Sequence, residues 1–395
     1  MWMADDLMVH HVPERVVTVS IRVAFLLEQA WHRVPGGTGI AAVRTAEAMA
    51  ERGDVELVGL TARHAGPPPE IGLVDFPADI RMASSRLPRF LLYESWHQLN
   101  RPRVEGIVDS LDVVHASGGA VPATRRPLVA TVHDVAWRRH PEAATRRGRR
   151  MFEYWLADAG RADLVICPSE ATKRELAEAG FDEERLRMVP LGVRPDRALF
   201  PEAEAAVRSV LHQHGVDGPF VLWVGTVEPR KNLQALVSAM TMVSTLGEVP
   251  LVLVGPSGWG IDIRRITDPL GSRAVIVGPV SDSEREAWMA AATVFCLPSL
   301  SEGFGLPLLE AMSAGTPVVT SAGTATEEVV GAAGLVVDPT DPGAIGEALG
   351  TVLSDRRLTD RLVAAGHERA SSFTWEATAA ATVSVYREAM ARWGE

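Results

Sequence analysis

The sequence predicts an α/β protein built from two doubly wound parallel sheets side by side, with a ligand cleft at the carboxyl ends of their strands. Short apolar, β-branched runs alternate with longer amphipathic segments throughout the chain, the mark of βαβ units. The rhythm pauses once, near residue 200, and then repeats. The length, 395 residues, exceeds one typical core and fits two domains of about 150–200 residues each.

In the first half the strand-like runs are 16–27, 55–61, 113–116, 128–132 and 164–167. Helical stretches occupy 40–52, 89–108, 146–159 and 169–179. A strand at 187–190 leads into 191–200, where Gly192, Pro195 and Pro201 suit a linker. In the second half, 220–224, 251–254, 274–277, 294–297, 317–320 and 335–337 read as six strands with helices between them. Two tandem sheets do not by themselves name a function.

Composition excludes several classes. The chain is 47% hydrophobic and 23% charged, with 34 Gly and 26 Pro, which suits a compact, turn-rich protein and not a disordered one. The net charge of -11 supplies no global attraction for nucleic acid or acidic lipid. The two cysteines, Cys167 and Cys296, lie in apolar runs of different halves, so no disulfide framework is readable and a reduced, cytoplasmic setting is expected. The 11 histidines form no zinc-spaced cluster, and no metal site is expected. The first fourteen residues lack a basic segment followed by an apolar core, and the run 16–27 is short and contains Arg22. Neither a secretion signal nor a membrane span is expected.

The strongest motif runs from Pro298 through Ser301-Glu302-Gly303-Phe304-Gly305-Leu306-Pro307-Leu308-Leu309-Glu310. A buried strand enters a glycine-bearing loop, and a helix starts near Pro307, where proline is favoured. The N–H groups of Phe304, Gly305 and Leu306 would face the cleft with the helix dipole behind them, which makes an anion site. Glu302 and Glu310 flank that helix start and suit hydroxyl groups on either side of a bound phosphate; each could instead simply complement the dipole. A second motif is Gly225-Thr226-Val227-Glu228-Pro229-Arg230-Lys231-Asn232-Leu233. Two cations opening a helix oppose its dipole, and a bound anion would relieve the conflict; a solvated basic pair is the plainer reading.

Together these motifs closely resemble the retaining glycosyltransferases of family 4, whose fold is GT-B and whose signature is two glutamates separated by seven residues. The resemblance extends over much of the second half: Gly278-Pro279-Val280-Ser281-Asp282, the run from Ala314 to Val319, and Glu328-Val329-Val330-Gly331. Phe373-Thr374-Trp375-Glu376 looks like the family's signal for a last helix that crosses back onto the first domain. In the first half Pro35-Gly36-Gly37-Thr38-Gly39-Ile40 resembles the family's glycine loop, and Thr131-Val132-His133-Asp134 its His-Asp strand end. His140-Pro141-Glu142 is similar to members that use GDP-mannose.

The resemblance implies an acceptor-side Rossmann-like domain over 1–200, a nucleotide-sugar domain over 201–372, and a crossing helix over 373–395. It implies catalytic roles for His133, Glu302, Arg230 and Lys231. Glu302 and His133 would meet the transferred sugar, and the two cations the diphosphate. Donor-binding roles fall on Gly37, Gly39, Gly225, Thr226, Val280, Phe304, Gly305, Leu306 and Glu310, with Glu310 on the ribose hydroxyls and the Val280 backbone at the base. Many members carry an arginine where this chain has Thr226, so the contact made by Arg230 is open. Asp134 and Arg138 are expected on the acceptor side.

The implied chemistry is transfer of a hexose, mannose from GDP-mannose favoured, with retained configuration and no metal or other cofactor. In the family's mechanism the attack is from the front face, and donor phosphate helps take the acceptor's proton. The expected partners are a nucleotide-sugar donor and a glycan or a polyprenyl- or phospholipid-linked acceptor, with no nucleic acid. Residues 121–161 hold nine arginines against four acids, a patch suited either to peripheral contact with the inner face of the membrane or to a solvated helix face.

Three other readings compete with this one. Gly37-Thr38-Gly39-Ile40-Ala41-Ala42 fits a dinucleotide fingerprint, but 28–35 separate it from the strand and no ribose-binding acid ends the second strand. A sugar-nucleotide epimerase or phosphorylase could share the fold, and a degenerate binding protein would be expected to lack Lys231 or Glu310.

Overall fold

The computed structural model describes residues 20–32, 36–66, 68, 80–194 and 201–393. Among the described residues, thirteen strands fall into two parallel sheets. The first holds β1 (Ile21–Leu26), β2 (Val55–Thr61), β3 (Arg81–Ser84), β4 (Val113–Ala116), β5 (Leu128–Thr131), β6 (Leu164–Cys167) and β7 (Leu186–Met188). Its order is β3-β2-β1-β4-β5-β6-β7. The second holds β8 (Val221–Val224), β9 (Leu251–Val254), β10 (Ala274–Gly278), β11 (Val294–Leu297), β12 (Val318–Ser321) and β13 (Leu335–Val337). Its order is β10-β9-β8-β11-β12-β13. Strand order reverses at β1/β4 and at β8/β11, the places where open α/β sheets form clefts.

The helices of the first half are α1 (Gly36–Ala50), α2 (Arg89–Leu99), α3 (Ala136–Arg139), α4 (Arg146–Ala159) and α5 (Glu170–Glu178). Those of the second are α6 (Pro201–His214), α7 (Leu233–Met242), α8 (Ile263–Thr267), α9 (Asp282–Ala291), α10 (Leu306–Ser313), α11 (Ala325–Val330), α12 (Pro342–Ser354), α13 (Arg356–Ser371) and α14 (Trp375–Trp393).

Central strands such as β4, β6, β8, β9 and β11 are buried at every position, as parallel strands covered on both faces must be. One apolar cluster fills a single face of the first sheet, from Ala24 and Leu26 to Val165 and Leu186. The other cluster starts under α1, takes in Tyr386 and Ala389 of α14, and continues through the second sheet. The last helix therefore packs on the first domain. Tyr386 Oη lies 2.7 Å from Nδ1 of buried His115, and Arg387 reaches Asp54 at 2.6 Å.

Two crossings join the domains, and they run side by side. Val193 donates its N–H to the Phe373 carbonyl at 2.9 Å, and a Cβ on Gly192 would meet the Trp375 nitrogen at 2.3 Å. The remainder of the expected linker, 195–200, lies outside the described residues, as do 16–19 of the first expected strand and Pro35.

Three expectations need correction. Strand β3 was not anticipated, because an edge strand with three of its four residues exposed carries no apolar signal. The helix expected over 89–108 ends at Leu99: Asn100 takes a left-handed conformation (φ 50°) and Pro102 follows. The glycine segment is not a loop but the first turn of α1, which begins at Gly36, four residues earlier than expected.

Candidate active site

The centre of the second domain is a buried cluster of four charges. Strand β8 ends at Val224 and a turn follows, in which Pro229–Lys231 form one 3-10 turn and Asn232 sits in the left-handed region (φ 56°). Asn232 fixes that bend by donating to the carbonyls of Pro298 (3.0 Å) and Pro339 (2.7 Å). Arg230 and Lys231 are thereby turned towards the loop after β11. Glu302 receives them both, Arg230 Nη1 at 2.8 Å and Lys231 Nζ at 2.5 Å, while the Ser299 hydroxyl donates at 2.7 Å. Arg230 also donates to the Ser301 carbonyl at 3.0 Å and pairs with Glu228 at 2.6 Å.

The solvated basic pair considered from sequence is therefore replaced by an interior network of two cations and two acids. Burial alone would raise the Glu302 pKa, but Lys231 and Arg230 outweigh it and hold the carboxylate down at about 2. Burial raises that of Glu228. Three N–H groups of Arg230 are committed to protein acceptors, whereas Lys231, with three donors, aims one at Glu302. With five donors on Arg230 and three on Lys231, each keeps two for an added anion.

Helix α10 opens beside this cluster. Gly305 is its N-cap at φ 107°, a conformation glycine adopts without strain, and no side chain caps that end. Leu306 and Phe304 are buried, Phe304 edge-on to Phe373 at 5.9 Å. Glu310, one turn in, is 3.0 Å from Arg285 Nη2, and Arg285 pairs with Asp282 at 2.7 Å. Burial raises the Glu310 pKa against the opposing pull of Arg285. Sequence reasoning missed Arg285, which lies 25 residues from Glu310 and carries no motif of its own. Gly225 and Thr226 form the turn after β8, and Val280 is half-buried against the core just before α9.

The first domain meets this site at the end of β5. The His133 ring, at Nε2, lies 2.9 Å from the Ser117 carbonyl, and burial lowers its pKa. Asp134 accepts from the Ala136 N–H at 3.1 Å, just before α3. Across the interface, Ser169 donates to the Gly303 carbonyl at 2.8 Å, and Arg174 pairs with Glu328 at 3.0 Å. Gly37 is exposed and Gly39 buried in the first turn of α1. A cavity of about 20 Å³ lies between His133, His115, Ser117, Thr131, Thr45 and Thr382, room for about one water.

Arg138 stands apart from these groups: it is exposed and held by Glu153 at 2.5 Å. Arg139 pairs with Glu178 at 2.8 Å, so two of the arginines counted in the basic patch are neutralised. Among the described residues no group of three or more His, Cys, Asp or Glu is arranged to hold a metal ion.

Two parallel doubly wound domains meeting at an uncapped glycine helix start, with a Glu-x7-Glu pair beside a buried lysine, have the architecture of a GT-B glycosyltransferase. Residues 218–355 match the family described as "Glycosyl transferases group 1", and residues 35–197 match "Glycosyltransferase Family 4". The chain is 32% identical over 307 residues to O-antigen chain mannosyltransferase B of Escherichia coli, covering 75% of this chain and 80% of that one. It is 31% identical over 413 residues to a D-inositol 3-phosphate glycosyltransferase of Xylanimonas cellulosilytica, covering 96% and 97%. Among solved structures, sucrose-phosphate synthase from Thermosynechococcus elongatus superposes with a TM-score of 0.73 at 23% identity, covering 94% of this chain and 100% of that one. Anabaena HepE in complex with UDP-glucose gives 0.68 at 19%, covering 95% and 99%. The chain belongs to glycosyltransferase family 4.

Proposed function

We propose that the chain transfers mannose from GDP-mannose to a hydroxyl of a glycan or of a polyprenyl- or phospholipid-linked acceptor, retaining configuration and using no metal ion. The observation that carries this reading is the placement of Lys231 and the uncapped start of α10 around Glu302. The leaving nucleoside diphosphate gains charge as its bond to the sugar breaks, and fixed N–H donors in a dry site stabilise that charge. Lys231 offers its remaining donors, the Phe304–Leu306 amides the helix end, and Glu310 an acceptor for ribose hydroxyls. Arg230, held between Glu228 and Glu302, keeps the loop in shape.

His133 is neutral at pH 7, because burial lowers its pKa, and it can pair with a sugar hydroxyl without carrying a charge to the oxocarbenium-like centre. With Glu302 engaged by three donors and ionised, no free acid–base pair of the glycosidase kind is arranged here. Mannose is supported by the E. coli relative, an O-antigen mannosyltransferase at 32% identity.

A peripheral position at the inner face of the membrane is part of this reading, and the surface of α2 and α4 supports it. Phe90, Leu91, Met151 and Tyr154 are exposed there beside Arg146, Arg147 and Arg150. Among the described residues no helix is long and apolar enough to cross a membrane.

The test is calorimetric titration with GDP, UDP and ADP, with and without EDTA, of the wild type, Lys231→Ala and Glu310→Ala. GDP alone is expected to bind, unaffected by EDTA, and each substitution to weaken it by about 1.5–3 kcal/mol. Proton NMR of the product from GDP-mannose then reads the anomeric configuration. Tight UDP binding, loss with EDTA, or indifference to both substitutions overturns the corresponding part of the proposal.

A further inference from the structure

Glu310, expected at the ribose, is the end of a line of alternating charges that leaves the second domain altogether. Arg285 of α9 holds Glu310 at 3.0 Å and Asp282 at 2.7 Å. The other oxygen of Asp282 receives Arg44 of α1, in the first domain, at 3.4 Å. Arg44 also pairs with Glu47 at 2.8 Å, and Glu47 receives Arg194 of the inter-domain crossing at 2.9 Å. Every side chain in the inner part of this line is shielded: the relative exposures of Arg44, Asp282 and Arg285 are 6%, 14% and 15%.

The charges explain why the line spans the cleft. Within the second domain alone Glu310, Arg285 and Asp282 leave a net negative charge in a shielded place, a poor neighbour for an incoming diphosphate. Across the cleft, Arg44 of the first domain reaches Asp282 and offsets that charge. Arg285 is then held from both sides, and Glu310 presents its carboxylate in one orientation. When the domains part, Asp282 loses Arg44 and draws on Arg285 alone.

We propose that Arg44 is a positioning residue for the donor: through Asp282 and Arg285 it couples closure of the first domain to the hold of Glu310 on the nucleotide. This rests on the donor site proposed above, yet it assigns to a first-domain residue, whose ion-pair partners are Glu47 and Asp282, a share of nucleotide affinity. Coupling free energies of this kind change affinity by about 5–150-fold.

The experiment is a double-mutant cycle read by calorimetry, with whichever of GDP, UDP and ADP binds the wild type. Arg44→Gln is expected to weaken binding by on the order of tenfold, and Arg44→Lys to recover much of that loss. In a Glu310→Gln background, where the line has lost its end, Arg44→Gln is expected to change affinity by less than about twofold. Asp282→Asn breaks the same rung from the other side and serves if Arg44→Gln does not fold; each variant's thermal melting is recorded beside its affinity. Equal effects of Arg44→Gln with and without Glu310, or an unchanged affinity with a lowered melting temperature, overturn the coupling and leave the donor site standing. Failure of all three nucleotides to bind the wild type overturns both.

Discussion

A Cβ placed on Gly303 would lie 1.8 Å from the carbonyl oxygen of His133, a residue 170 positions earlier in the other domain. The signature loop of the second domain thus touches the main chain of the first just beyond the end of β5. Gly303 is needed there for close approach and not for backbone freedom, since its φ is not among the positive values.

Gly303→Ala is accordingly expected to leave two folded domains that cannot close fully. Transfer should fall by about 100-fold, the scale for displacing reacting groups by about an ångström. Nucleotide affinity should fall far less. Steady-state kinetics beside calorimetry reads the two separately; wild-type turnover in the variant would remove the contact from the mechanism.

Acid should unfold the protein in two overlapping steps with defined signs. His115 is buried and neutral, with its pKa lowered from 6.5 to about 3, so between those values the unfolded chain binds the proton and the native state does not. Stability is then fully present above pH 6.5 and declines as pH falls, by about 1.4 kcal/mol per pH unit from this group. Glu302, held at about 2, adds a further loss below pH 4.5. Urea unfolding at pH 7, 6 and 5 tests the first step: His115→Gln should flatten the slope, and an unchanged slope rules out His115 as its source.

Tyr93 carries a buried hydroxyl with no hydrogen-bond partner among the described residues, and burial with the nearby Glu28 charge keeps that phenol from ionising. Tyr93→Phe removes only the unpaired group. The variant is expected to be more stable by about 1 kcal/mol, which raises the melting temperature by roughly 2–4 °C in a domain of this size. A lower melting temperature in scanning calorimetry would mean that the hydroxyl has a partner in solution.

Membrane contact is tested with vesicles containing anionic phospholipid. Phe90→Ser with Leu91→Ser should weaken sedimentation with them several-fold, and about 0.3 M salt should weaken it further through the remaining arginines. Equal binding of the double variant would leave the apolar pair without a role there.

The sheets were legible because their strands are covered on both faces and therefore read as unbroken apolar runs. The site was legible in outline because Gly303, Gly305 and Pro307 punctuate a strand-to-helix turn in a way few other segments do. What sequence concealed was pairing. Nothing local marks Arg285 as the partner of Glu310, or Arg44 as the partner of Asp282 238 residues away. The sequence offered an anion as the partner of the cations at 230 and 231, because their neutralising acids, Glu228 and Glu302, come from a turn and a loop brought together only by the fold. Edge strand β3 was invisible for the opposite reason: its exposure leaves no apolar pattern to read.

Helix α14 gives the chain an unusual order of assembly. Domains generally fold as units, the N-terminal one first, while the ribosome is still at work. Here Tyr386, which closes the pocket around His115, and Thr378 and Thr382, which line the cavity beside His133, are made only after the second domain. The nascent first domain must wait, with one face of its sheet uncovered beneath α1, until the whole second domain has been translated. A chain truncated before Trp375 would therefore fail in the half of the protein that was synthesised first.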